Sequence, residues 1–242
     1  MQNVENLQEE MIKTFQVNGV SFDMVLVEAG TFMMGATPEM ENPLGNEKPV
    51  HQVTLTKDYY MGKTQVTQAL WKAVMGTNPS LFKGNNKPVE RVSWFDCQEF
   101  IAKLNTLTGK KFRLPTEAEW EFAARGGNWS KHYQYSGSNN IDEVAWYIVS
   151  NGAVTYDVAT KTPNELGLYD MSGKVWEWCN DLWGYYNSSV QIDPVGSVRG
   201  SSRVLRGGSW RNDARSCRSS YRFDDDPDYR SYSNGLRLVL SE

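Results

Sequence analysis

The chain is poor in the residues from which metal and thiol sites are usually built. Its 242 residues hold two histidines, His51 and His132, and three cysteines, Cys97, Cys179 and Cys217. An odd number of cysteines at wide spacing gives neither a disulfide framework nor a Cys-x-x-Cys knuckle. Two distant histidines exclude an imidazole-rich zinc or iron centre; a calcium site, which needs only oxygen, stays open. No apolar run approaches the roughly 18 residues of a membrane span, so no direct span is expected. The net charge is −4 and the Lys and Arg residues are scattered, so there is no basic footprint and no nucleic-acid partner is expected. The first fifteen residues, MQNVENLQEEMIKTF, are polar and acidic and do not form a secretory leader. The sequence as given carries no localisation signal, and a cell-surface or extracellular location is expected only for a chain whose leader has been trimmed.

What is present is apolar and aromatic: 40% hydrophobic residues, with nine Trp, twelve Tyr and nine Phe, enough for one packed core. Helix signals are few and clear. TQALWKAVMG runs from an N-cap, Thr67, to a C-terminal glycine, Gly76. SWFDCQEFIAKLNTLTG places Phe95, Phe100, Ile101, Leu104 and Leu107 at helical spacing, with Cys97 as interior packing. LPTEAEWEFAARGG contains a capping box, Thr116 to Glu119. FDMVLV, HQVTLT, YYMGKTQVT, RVLRGGSW and GLRLVL read as strands between loops rich in Gly, Asn, Asp and Pro. Strands and helices are segregated, which predicts an α+β fold. Without a linker or a repeat, the expectation is an N-terminal extension over 1–16, one domain over 17–242, and a monomer.

Six segments in order, FMMGATPE, YYMGKTQVTQALWKAVMGTNPSLF, PVERVSW, FRLPTEAEWEFAARGG, ELGLYDMSGKVWEWCND and RVLRGGSW with GLRLVL, resemble the formylglycine-generating-enzyme (sulfatase-modifying-factor) superfamily from about Val17 to Leu240. The resemblance implies a C-type-lectin-like fold: a mixed, mostly antiparallel sheet, two main helices and much irregular chain. It also implies two sites. The family's oxidases hold Cu(I) between two thiolates five residues apart, after a Gly-Gly-Ser-aromatic motif. That motif is here Gly207-Gly208-Ser209-Trp210, so the thiolate positions are Asn212 and Cys217. One thiol and one carboxamide are not a two-sulfur copper site, and no copper is expected. On the alternative reading, an oxidase or other enzyme acting on a protein cysteine, Cys217 and Ser209 would carry catalysis. The second site is a structural calcium ion, held by the side chains of Asp170 and Glu177 and the carbonyls of Gly173 and Val175.

The C-terminal segment has an absence of its own. Residues 211–240 contain no Lys, Glu, Gln, Met or Trp, five types that make up nearly a quarter of the chain. None of these five has a codon ending in a pyrimidine, whereas every residue present does. The pattern resembles the variable proteins of diversity-generating retroelements, in which adenine-directed mutagenesis rewrites a C-terminal region of this same fold. The resemblance implies a variable ligand-binding region over 211–234. Its candidate sites are Arg211, Asn212, Asp213, Ser216, Tyr221, Phe223, Asp224, Asp225, Asp226, Asp228, Tyr229, Ser231, Tyr232 and Ser233. Arg215, Cys217, Arg218, Arg222, Pro227, Arg230 and Gly235 would be scaffold. Tyr, Ser, Asn and Asp with some Arg form a palette suited to recognition, and five Arg offset five Asp over 211–234. The expected function is a non-catalytic display protein for a protein or glycan ligand, with every variable side chain outside the core.

Overall fold

The structure, a computed structural model, describes residues 11–149, 152 and 154–241. It opens with a hairpin of β1 (Ile12–Val17) and β2 (Val20–Val27). Asn18 and Gly19 at its tip both take positive φ, 48° and 83°, as a two-residue turn between right-twisted strands requires. The expected boundary at residue 16/17 therefore falls inside a strand and is corrected. β1 belongs to the domain because Phe15 stacks on Phe22 at 5.7 Å and meets Phe112 edge-on at 5.3 Å; residues 1–10 of the expected extension lie outside the described residues.

Among the described residues there are three sheets. The first, in the order β1-β2-β5-β12-β6, adds β5 (Tyr59–Gly62), β6 (Phe112–Arg113) and β12 (Val239–Ser241), all antiparallel. The second joins β3 (Gly30–Met34), β4 (His51–Leu55) and β8 (Gln191–Ile192). The third, β10-β9-β7-β11, consists of β7 (Trp176–Leu182), β9 (Arg203–Arg206), β10 (Arg222–Asp225) and β11 (Asn234–Gly235). The pairs β4–β8 and β7–β11 are parallel. GLRLVL, expected as one strand, is divided between two sheets: Gly235 pairs with Glu177, and Val239 lies between Met61 and Arg113.

The five-stranded sheet is buried on both faces. Met24, Tyr60 and Leu240 pack into one core, with Trp71, Phe100, Leu104 and Trp178; their neighbours Val25, Met61 and Val239 pack into another, with Trp120 and Phe122. Strands covered on both sides read as continuous apolar runs rather than as alternation.

The helices begin where the caps predict. α1 (Gln68–Met75) starts at Thr67, whose hydroxyl accepts the Leu70 N–H at 3.2 Å, and ends at left-handed Gly76. α2 (Trp94–Thr108) and α3 (Glu117–Ala124) both carry complete capping boxes, Ser93 with Asp96 and Thr116 with Glu119. α4 (Ile141–Val144) is one short turn capped by Asn140, whose side-chain oxygen accepts the Asp142 N–H at 3.2 Å. In α2, Cys97, Phe100, Ile101 and Leu104 are buried. Phe95 and Leu107, also expected in that stripe, are 50% and 53% exposed. Phe95 falls on the opposite side of the helix and Leu107 in its last turn.

Candidate ligand-binding face

The segment from Arg206 to Arg237 is fixed to the rest of the molecule by arginines. Arg206 bonds Glu121 of α3; Arg218 grips Glu47 through two 2.8 Å hydrogen bonds; Arg222 grips Glu117 at 2.5 and 2.7 Å. Arg230 reaches Asp96 on α2 with two bonds of 2.7 Å, and Arg237 reaches Glu177 at 2.8 and 2.9 Å. All but the Arg230 pair are buried. A buried charge must be paired and hydrogen-bonded, so these pairs set the position of the chain more than they add stability. Burial raises the Glu47 carboxyl, but hydrogen bonds from Arg218, the Leu44 N–H and Ser220 outweigh it and hold the group below its ordinary range. Gly208, at φ 74°, lets β9 turn back against the 3₁₀ turn Ala214–Cys217; a Cβ there would lie 2.7 Å from the Ser216 carbonyl oxygen.

Between these anchors most of the candidate side chains reach solvent. Arg211, Asp213, Phe223, Asp226, Asp228, Tyr229 and Tyr232 are exposed, and Asn212, Tyr221, Asp224 and Asp225 are half-buried. Ser216, Ser231 and Ser233 are buried, which corrects the expectation that every variable side chain lies outside the core. Each is small and hydrogen-bonded inside: the Ser216 hydroxyl to Asp213 at 2.9 Å, and the Ser231 and Ser233 hydroxyls to one another at 2.8 Å.

Two of the exposed rings stand on buried ones. Phe223 stacks on Trp176 at 5.4 Å, and Tyr232 lies 5.7 Å from Trp210, itself held edge-on by Phe82. The Arg211 guanidinium covers the Tyr232 ring and donates to its hydroxyl at 2.7 Å. The start of α2 is tied to this segment by the Trp94 N–H, which donates to the Pro227 carbonyl at 3.0 Å, and the exposed Phe95 ring meets Trp94 edge-on. Helical spacing alone places Phe95 with the core residues, whereas its angle around the helix axis puts it on the face opposite Cys97, Ile101 and Leu104. Burial raises the Asp225 carboxyl above its ordinary range, and neighbouring Asp224 and Asp226 add to the shift.

Of the two thiolate positions, Cys217 faces inward and Asn212 is half-buried. Cys217 is buried, its thiol 3.6 Å from the Asp213 carbonyl, and burial together with nearby Asp213 pushes it far above the ordinary thiol range. The Asn212 carboxamide oxygen accepts the Ser209 hydroxyl. A protonated buried thiol and an amide already hydrogen-bonded do not fit a Cu(I) ion.

The four calcium positions are gathered around the turn from Asp170 to Glu177, but donors have already taken the oxygens of Asp170, Val175 and Glu177. Lys174, inside the same turn and fully buried, places its ammonium 2.9 Å from Asp170 Oδ1 and bonds the Asp157 carbonyl. Both oxygens of Glu177 accept from Arg237, and they also accept from Gln65 at 2.9 Å and Trp120 at 2.6 Å. Gln65 bonds the Val175 carbonyl as well, at 2.9 Å. Among the described residues no cluster of three His, Cys, Asp or Glu is placed to hold a metal. Two cationic side chains point into this cluster, and it does not fit the calcium ion that the resemblance implies.

An antiparallel sheet covered on both faces, two smaller mixed sheets, helices packed on them and a long irregular segment closing the fold make up the C-type-lectin-like architecture. Residues 8–242 match the sulfatase-modifying factor enzyme 1-like domain, and the chain belongs to that family. It is 35% identical to the chaperone protein LppX of Paenibacillus barcinonensis, over 92% of this chain and 91% of that protein. It is also 35% identical to the formylglycine-generating enzyme of Thermomonospora curvata, over 72% of this chain but 62% of the enzyme's length. Among solved structures, Treponema denticola variable protein 1 superposes with a TM-score of 0.86 at 34% identity, covering 96% of this chain and 99% of that one. PvdO from Pseudomonas aeruginosa superposes with a TM-score of 0.80 at 26% identity, over 95% and 98%. No helix among the described residues is long and apolar enough to cross a membrane.

Proposed function

We propose that this protein is a non-catalytic display protein whose ligand-binding face consists of the exposed side chains between Arg211 and Tyr232. The observation that carries the reading is the set of exposed rings Phe223, Tyr229 and Tyr232 on a backbone fixed by arginine–carboxylate pairs. Rigid aromatic groups on a preorganised frame lose little entropy on binding. The ligand is a protein or a glycan, met by rings flanked by aspartates. The likeness to a variable protein over nearly the whole of both chains supports this reading, as does the restricted residue palette of 211–240.

The relatives that are formylglycine-generating enzymes favour a second reading, an enzyme acting on a protein cysteine through Cys217 and Ser209. Against it stand the buried, protonated Cys217 thiol and the Ser209–Asn212 hydrogen bond. Two measurements separate the readings. The first is the genome: a reverse-transcriptase gene beside an imperfect copy of the 211–234 coding segment is expected, and its absence, with identical 211–234 segments in sibling strains, overturns variability. The second is turnover of a sulfatase-type cysteine peptide by copper-loaded protein. None is expected, and turnover lost in Cys217→Ser would establish the enzyme.

A further inference from the structure

Asp181, on β7, is the carboxyl group in excess. The three glutamates of α3 beside it each have a guanidinium: Glu117 pairs with Arg222, Glu119 with Arg113, and Glu121 with Arg206 and Arg125. Asp181 is 2% exposed and accepts one hydrogen bond, from the Glu117 N–H to Oδ2 at 3.0 Å. Its other oxygen, Oδ1, has no hydrogen-bond or ion-pair partner among the described residues. The nearby Arg203 guanidinium donates instead to the Asn180 carbonyl at 2.6 Å and lies over Trp94. A carboxyl buried without a cation is costly in its charged form.

Asp181 lines a cavity of about 340 Å³ that opens between α3 and the loop 184–198. Met34, Leu182, Pro194 and the exposed Tyr185 and Val198 give it an apolar wall. Gly196 lets the loop approach Asp181 closely: a Cβ there would lie 2.6 Å from the Asp181 Cβ and 2.9 Å from its Oδ1, and would close off the carboxyl. We propose that this cavity binds a small organic cation, an amine or a guanidinium, whose charge meets Asp181 and whose apolar body lies against Met34, Leu182 and Tyr185. The ligand supplies the cation that the protein withholds, and Arg222, held by Glu117, does not compete for it.

Burial and the repulsion of Glu117 push the Asp181 carboxyl up to about 8. A permanent cation then displaces its proton to solvent on binding, so affinity rises about tenfold per pH unit up to pH 8 and levels off above it. The charged groups around Asp181 are Glu117 and Glu119 on α3, Arg113 on β6, Arg203 and Arg206 on β9, and Arg222 on β10. Burial pushes Cys179 on its own strand and Tyr186 in the cavity wall well above their ordinary ranges, so both keep their protons, and His51 is the other ionisable side chain in that wall.

The test is calorimetry on the full chain with benzamidinium and its neutral counterpart benzamide, between pH 6 and 9. Benzamidinium is expected to bind, with the stated rise in affinity and release of about one proton at pH 7. Benzamide is expected not to bind, and Asp181→Asn to abolish both binding and proton release. Equal binding of benzamide, unchanged binding by Asp181→Asn, or no binding of benzamidinium at millimolar concentration overturns the proposal. Should the variant not fold, the wild-type proton count decides, and a count of zero overturns it. N-acetyl-arginine methylamide separates the sources of such a cation: tighter binding than benzamidinium assigns the cavity to a protein side chain, weaker binding to a free small molecule.

Discussion

A phenylalanine and a tryptophan in one short segment can have opposite tasks, and exposure separates them. Phe223, Tyr229 and Tyr232 are exposed, whereas Trp210, Leu236 and Leu238 are buried. Truncating any of the first three to Ala is expected to move stability by about 0.5 kcal/mol, with up to about 1 kcal/mol more for Phe223 through its ring stack. Truncating Leu236 or Leu238 is expected to cost about 2–5 kcal/mol. Urea unfolding of the five variants checks the contrast, and equal losses would make the segment core throughout. Asp181 gives a second outcome at this scale. Its folded value lies above its unfolded one, so between about pH 4 and 8 the folded protein keeps a proton that the unfolded chain has lost. That contribution to stability is complete below pH 4 and is lost as pH rises toward 8. Asp181→Asn has no such proton to lose, so its stability relative to wild type is expected to improve steadily from pH 5 to about 8 and to level off above it. Parallel melting curves of the two proteins across that range would contradict it.

At the level of elements, the helix ends were legible in the sequence because a cap is a local event. Thr116 and Glu119 are three residues apart and bond one another's backbone. Glu119 also holds Arg113 of β6 through two bonds of 2.7 Å. Thr116→Ala is therefore expected to cost about 1 kcal/mol, and Glu119→Ala more, since it leaves Arg113 without its partner; denaturant midpoints rank the two. Strand partners were not legible, because pairing joins residues far apart in the chain: β12 fits between β5 and β6, and nothing in GLRLVL says where the segment changes sheet. The calcium cluster was half legible. The resemblance brought Asp170, Gly173, Val175 and Glu177 together, and Lys174 stands in the same motif, but Arg237 reaches Glu177 from sixty residues away. Phe95 was misplaced for a simpler reason, since an apolar residue on a helix need not belong to its buried stripe.

For the whole molecule, internal cations occupy the place of an ion. Lys174 is fully buried against Asp170, and burial pulls its ammonium below the ordinary lysine range even with that carboxylate beside it. Adding calcium to chelator-treated protein is expected to leave the melting temperature unchanged, because a ligand that does not bind the native state cannot stabilise it. A rise of several degrees would mean that Lys174 and Arg237 yield to the metal. Lys174→Met is expected to cost about 3–5 kcal/mol, as when one partner of a buried pair is removed.

The serines buried beneath the face have a consequence for any repertoire displayed on it. Ser231 and Ser233 close a hydrogen bond with one another, and Ser216 closes one with Asp213, in space that a ring would overfill. A mutagenic process indifferent to depth would write tyrosine or phenylalanine at these three positions as readily as at their exposed neighbours, and overpacking would remove those chains before any ligand met them. Folding would then act as the first round of selection, and the diversity that survived it would be narrower than the diversity encoded.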